Sequence, residues 1–324
     1  MKKLSIALAG LFSMAAGVMS ISHATTDYPS KPISLIVPLG AGGATDVVAR
    51  VIAEKLSEKL GQQVVIENRP GAEGAIGVHA AAKAAPDGYT YVLGSSSTIA
   101  ANYYLRKNLP FHPVNDLTPV STALKDFFNV LVINPDIPAK NLKEFIALAK
   151  ASPGKYNYGA ATSGAKICME SFKTMAGIDL QMINYKSSPQ ALNDLIGGRL
   201  DIICEPVATA LPNIAAGRLK AIGVTSPERV ENAPELPTVA ESGLPGFSFS
   251  AWVAVFGPAS TPKTAIDKFS SALAVVLKDP ETEQRIKAIN AAPMVGNAED
   301  LRQLLHAEMQ RAEKIVRDAN IQPE

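Results

Sequence analysis

Cysteine is scarce in this chain: Cys168 and Cys204 are the only two in 324 residues. Two thiols cannot build a Cys-rich zinc module or a disulfide-stapled scaffold. They can form one bridge in an exported protein or remain two buried thiols, and spacing alone leaves both open. No run of about 18 uncharged apolar residues occurs after residue 30, which excludes a polytopic membrane protein. An excess of one charge is also missing, since 31 Lys+Arg face 30 Asp+Glu and no basic run occurs. A nucleic-acid binder working through phosphate neutralisation is therefore not expected. His79, His112 and His306 show no H-E-x-x-H or other ligand spacing, so neither a metal nor a cofactor is expected. There is no G-x-S-x-G elbow for a hydrolase and no repeat of 20–50 residues for a solenoid. What is present is a globular composition, 47% apolar, in a length that suits one large domain or two ordinary ones.

The N-terminus carries a message of its own. Lys2 and Lys3 precede an apolar stretch from Leu4 to Val18, followed by small residues at Ser22 and Ala24. This is the three-part layout of a secretory signal peptide, with cleavage expected after Ala24 and a periplasmic destination. Removing residues 1–24 leaves 300 of the 324 residues, with 29 basic against 30 acidic side chains.

Downstream, short β-branched runs alternate with helical patterns. Ile33–Val37 reads as a buried strand, 46–60 as a helix stopped by Gly61, Val64–Ile66 as a strand, 74–85 as a helix and Tyr89–Leu93 as a strand. The middle repeats the theme: a strand at Val130–Ile133, a helix at Leu142–Ala149, a strand at Tyr156–Tyr158 and a helix at Lys166–Met175. Further strands are expected at Met182–Tyr185, Ile202–Cys204, Ala221–Thr225 and Phe249–Phe256, and helices at 264–278 and 298–318. Strand–helix alternation argues for parallel sheets, and the layout for an α/β protein of two lobes.

Two glycine-rich loops stand between a strand and a helix. The first, Gly40-Ala-Gly42-Gly43-Ala-Thr45, lets backbone approach a ligand at a helix start, where unpaired N–H groups and a positive dipole end gather. It also nearly spells the dinucleotide fingerprint G-x-G-x-x-G, with Thr45 in place of the third glycine and Glu67 where a ribose-binding acid would stand. The second, Gly159 to Lys166, superficially resembles a phosphate loop. Lys166 falls one place late and Ile167 replaces the hydroxyl residue. Ser163 is a conceivable nucleophile without an evident base, and Ser95, Ser96 and Ser97 end a strand where ligands of open α/β sheets bind. The rival to a binding protein is thus an exported enzyme, a dehydrogenase using Gly40–Thr45 or a hydrolase using Ser163.

Taken together the motifs resemble one family. Pro38-Leu-Gly-Ala-Gly42-Gly43-Ala-Thr-Asp46, Glu67-Asn-Arg-Pro-Gly71, Ala84-Ala-Pro-Asp-Gly-Tyr89, Tyr185-Lys186, Leu195-Ile-Gly-Gly-Arg-Leu-Asp201, Ala215-Ala-Gly-Arg-Leu219 and Pro237 to Gly246 occur in the order seen in the Bug family. These are the substrate-binding proteins of tripartite tricarboxylate transporters. The resemblance implies a two-lobed type II periplasmic binding fold that closes on a small organic carboxylate, a dicarboxylate or aromatic acid included. It implies delivery to a membrane permease, a monomer, and no catalysis. The expected segments are 25–125 and 249–324 for the first lobe and 126–248 for the second. Carried over, the ligand site is Leu39, Gly42, Gly43 and Asp46 from the first loop, Ser163, Gly164, Ala165 and Lys166 from the second, and Ser95, Ser96 and Glu205 along the cleft. Three departures bear on the ligand: Leu39 stands for a common aromatic, Lys166 for a frequent His, and Ser187 for the usual Gly after Tyr-Lys.

Overall fold

The computed structural model describes residues 28–230, 233–289, 291–318 and 321–323. The expected leader and its cleavage site lie outside them. The chain runs β1 (Ile33–Val37), α1 (Ala44–Leu60), β2 (Val64–Asn68), α2 (Ala75–Ala82), β3 (Thr90–Ser95), α3 (Asn102–Leu105) and β4 (Leu117–Ile133). It continues through α4 (Leu142–Ala151), β5 (Asn157–Ala160), α5 (Ser163–Ala176), β6 (Gln181–Asn184), α6 (Ser188–Ile196), β7 (Ile202–Pro206), α7 (Val207–Ala215) and β8 (Lys220–Val224). It closes with β9 (Ser250–Pro258), α8 (Lys263–Leu277), α9 (Pro280–Lys287), β10 (Ala292–Pro293) and α10 (Ala298–Asp318).

Local chemistry sets these elements. In α1, Val48, Ile52, Leu56 and Leu60 recur every fourth residue and are all buried against the first core. Fully burying each such side chain stabilises the fold by about 1.5–3 kcal/mol. Gly61, at φ 69°, ends the helix in the left-handed conformation that costs a glycine least. β1 is buried on both faces, with 1% exposure or less at Ile33, Leu35, Ile36 and Val37, as its unbroken apolar run requires.

Two sheets result, and one strand serves both. In the first, β2, β1 and β3 are parallel, β9 lies antiparallel to β3, and the leading part of β4 lies antiparallel to β9. In the second, β6, β5 and β7 are parallel, and the trailing part of β4 is held antiparallel between β7 and β8. The exchange falls between Phe128, paired with Ser250, and Asn129, paired with Pro206. Thr225 knits the crossing: its hydroxyl donates to Phe249 O (2.7 Å) and its amide to Asn129 O (2.8 Å). This is an α/β fold of two lobes, as the strand–helix alternation predicts.

Two expectations change. The strand expected at 130–133 begins at Leu117, because bulges between Pro119 and Phe127 break its alternation. The helix expected from Lys166 begins at Ser163, because Thr162 caps it by accepting from the Ala165 amide (3.1 Å). The C-terminal α10 spans both lobes: Leu301 and Leu305 join a first-lobe core, while Ile315 and Val316 pack on a second-lobe core.

Candidate functional site

A cleft separates the lobes, with about 80 Å³ open to molecules of water size. Four helices start on its wall. Gly43 is the N-cap of α1 and has no side chain to cap with, so the first-turn amides of Ala44 and Thr45 stay unclaimed at the cleft surface. Thr162 caps only Ala165, leaving the Ser163 and Gly164 amides of α5 without an intrahelical acceptor. The starts of α6, at Ser187–Pro189, and α7, at Pro206, also border the cleft and lack side-chain caps. Each such end carries about half a positive charge. Lys186 is the only charged residue lining the cleft among the described residues, and its side chain is exposed at the lip. The remaining wall mixes hydroxyls, such as Ser95 and Ser97, with apolar Leu39, Phe249 and Val253. A small anion with an apolar body suits such a surface.

Of the residues expected from sequence, the structure brings Leu39, Gly43, Ser95, Gly164 and Ala165 to the cleft wall. The other six do not line it. Asp46 is buried with its carboxylate turned back on the loop: it accepts from the Gly42 amide (3.0 Å), Asn68 Nδ2 (2.9 Å) and Arg50 Nε (3.0 Å). Burial pushes its pKa up, but the bonds from Arg50, Gly42 and Asn68 outweigh that and hold it below the usual carboxylate range. Asp46 thereby fixes the loop that carries Gly42 and Gly43, and Gly42 itself turns at φ 77°, away from the cleft lining. Ser96 is buried and lines a separate small cavity together with Ala101 and residues of α10. Lys166 is 5% exposed and lies off the cleft lining.

Ser163 is fully buried between the lobes. Its hydroxyl donates to Glu73 Oε2 (2.8 Å) and lies against Asn102 Oδ1. Arg106 Nη1 stands 3.6 Å from the same Glu73 oxygen. Ser163 therefore ties the second lobe to the first and offers no accessible nucleophile. Glu67, the candidate ribose-binding acid, accepts from Ser34 Oγ (2.8 Å) and Arg69 (2.7 Å) and lies off the cleft lining. Ser163 and Glu67 thus do not face the cleft, although the Gly40–Thr45 loop does.

Glu205 points away from the cleft, since its strand neighbours Cys204 and Pro206 line it instead. Its carboxyl accepts from Thr209 Oγ1 (2.6 Å). Burial, opposed only by that bond, pushes its pKa up to about 8. At neutral pH it is mostly uncharged and adds little negative charge beside the cleft. Cys168 and Cys204 form a disulfide, with Cα atoms 6.4 Å apart, that ties α5 to β7 directly under the cleft.

Sequence reasoning missed Asn129, Thr162, Phe249, Ser188 and Pro189, whereas Ser97 was legible at the end of its strand and Ser187 as a departure after Tyr185-Lys186. Lys186 was visible within Tyr185-Lys186, but nothing in the spacing aimed it at the cleft. The lobes also touch there. A Cβ on Gly40 would stand 3.1 Å from Ser187 Cβ, and one on Gly164 would stand 3.0 Å from Ser97 Cβ.

Comparison with known proteins identifies the family and agrees with the fold. Residues 48–321 match the model of the tripartite tricarboxylate transporter family receptor. The chain is 37% identical to the protein BugT of Bordetella pertussis over 97% of this chain and 96% of that one. It superposes on the periplasmic binding protein BugD with a TM-score of 0.87 and 32% identity, covering 92% of this chain and 100% of the other. An R. palustris protein solved with adipate gives a TM-score of 0.88 at 32% identity, with 92% and 100% coverage. MatC from Rhodopseudomonas palustris, solved with malate, gives 0.84 at 30% identity, with 89% and 100% coverage.

Proposed function

The chain belongs to the tripartite tricarboxylate transporter receptor family, whose members are periplasmic solute-binding proteins, and from that premise we propose that it captures a small organic carboxylate between its lobes and delivers it to a membrane permease. One observation carries the reading: four helix starts, three of them without a side-chain cap, converge on a cleft whose only charged lining residue, among the described residues, is Lys186. Backbone amides and dipole ends of this kind stabilise a carboxylate without a counter-ion that would have to be desolvated. The adipate and malate held by two similar proteins support the ligand class.

Closure follows from the same layout. A ligand touching both lobes makes more contacts in the closed state and shifts the population toward it. The closed, loaded monomer is the form that a permease would recognise. Export proceeds through residues 1–24, so the mature chain begins at Thr25. Intact mass measured on periplasmic material should equal that of residues 25–324, and a membrane-bound full-length product would contradict the proposed leader.

The first-loop contribution is tested by Gly43→Val. A Cβ there stands 3.3 Å from Gly40 O, and the branched side chain covers the α1 amides. Binding of the best carboxylate found in a thermal-shift screen, read by calorimetry, should weaken at least tenfold, about 1.4 kcal/mol. Normal binding by Gly43→Val, or a screen in which NAD shifts the melting temperature and no acid does, would reject the carboxylate-receptor reading.

A further inference from the structure

Besides hydroxyls, the cleft lining holds one side-chain amide among the described residues, and the carboxylate reading does not use it. Asn129 is 6% exposed and sits where β4 passes from one sheet to the other. Its backbone is fully engaged there, the amide donating to Thr225 Oγ1 (3.0 Å) and the carbonyl accepting from the Thr225 amide. Its side chain lines the cleft and makes one weak contact, from Nδ2 to Cys204 Sγ (3.4 Å). Among the described residues nothing donates to its Oδ1, and that atom is not sealed away from the cleft space.

The disulfide decides which end of the amide faces the ligand. The sulfur of Cys204, bonded to Cys168, has no proton to give and can only accept. The NH2 end must therefore face the sulfur, which leaves the carbonyl end as an acceptor toward the cleft. A ligand that enters the cleft covers this acceptor, and an acceptor covered without a partner costs free energy, so a ligand that supplies a donor at this point is favoured over one that presents a methylene. The helix starts supply donors only, and Lys186 does too. Asn129 Oδ1 thus adds the acceptor that those groups lack.

We propose that Asn129 is a specificity-determining residue that selects carboxylates bearing a second, hydrogen-donating group, a hydroxyl or an ammonium, over their unsubstituted counterparts. The proposal rests on the carboxylate-receptor reading and adds a chemical class to it. Calorimetric titration of the mature chain with matched pairs tests it: propionate against lactate, succinate against malate, and succinate against aspartate. In at least one pair the substituted acid should bind at least tenfold tighter. In Asn129→Ala that preference should shrink to about threefold or less, and Asn129→Ser, a milder change in a strand, should show the same loss if the alanine variant does not fold. Equal affinities within every pair in the wild type, or a preference that survives both variants, would overturn the proposal while leaving a carboxylate receptor in place. Absence of binding by any of these acids, and by the wider carboxylate screen, would overturn both.

Discussion

Gly164→Val is expected to weaken ligand binding at least a hundredfold, about 2.7 kcal/mol, while leaving the fold intact. Two effects combine at this position. The Gly164 amide is one of the two that the Thr162 cap leaves unclaimed at the start of α5, and a branched side chain beside it screens that end from a ligand. The second effect is on closure. A Cβ at Gly164 would lie 3.0 Å from Ser97 Cβ and 3.6 Å from Phe249 Cζ, and Ser97 belongs to the first lobe. Valine adds two methyl groups beyond that Cβ, so the lobes cannot meet without a shift of the α5 start. The open form pays no such penalty, which is why thermal stability should hold while affinity falls. Gly164→Ala should be intermediate, because one methyl asks Ser97 to yield by only a few tenths of an ångström. Calorimetry and small-angle scattering together check this: wild type should compact on adding ligand and Gly164→Val should not. Binding by the valine variant within threefold of wild type would contradict the two-lobe clamp.

Glu205→Gln should stabilise the protein by a few kcal/mol at pH 9 and have little effect near pH 4. Glu205 has an ordinary pKa of 4.5 when exposed, and burial pushes it up to about 8 in the folded chain. Between those values the folded state holds a proton that the unfolded state has released. Stability contributed by the neutral, buried carboxyl is fully present below pH 4.5 and is lost as pH rises through about 8. Glutamine keeps an acceptor for Thr209 Oγ1 and cannot ionise, so its stability lacks this component. The difference between wild type and variant, measured by denaturant unfolding at a series of pH values, isolates Glu205 from every other titrating group. A difference that stays constant from pH 4 to pH 9 would show that Glu205 is not buried as described.

Much of this architecture was legible in the sequence, for physical reasons that also mark its limits. β1 announces itself because a strand buried on both faces must be continuously apolar. The α1 pattern of every fourth residue, ended by Gly61, is equally direct. β4 hid most of its length because Pro119, Lys125 and its bulges erase the period of two that identifies a strand. α6 and α7 escaped notice since Pro189 and Pro212 read as breakers, although Pro189 occupies the first turn, where no N–H is needed. At the site, the glycine loops declared themselves by composition and position. Asp46, Ser163 and Lys166 were placed at the ligand site by the family resemblance. Only the fold shows that their side chains turn into the protein. Asn129 carried no signal, being one polar residue in an apolar run. Its place in the cleft exists only because β4 changes sheets at that residue.

The central claim is that the cleft binds a negative charge through helix starts. Its most direct test is a calorimetric comparison of the best-bound acid with the same molecule amidated at one carboxylate. Shape is nearly kept by that change, while the charge is removed and one acceptor oxygen becomes an N–H donor. The account predicts that the amide binds at least tenfold more weakly at low and at physiological ionic strength alike, since the interaction sits inside a closed cleft where salt screens poorly. An amide that binds as well as the acid would contradict it.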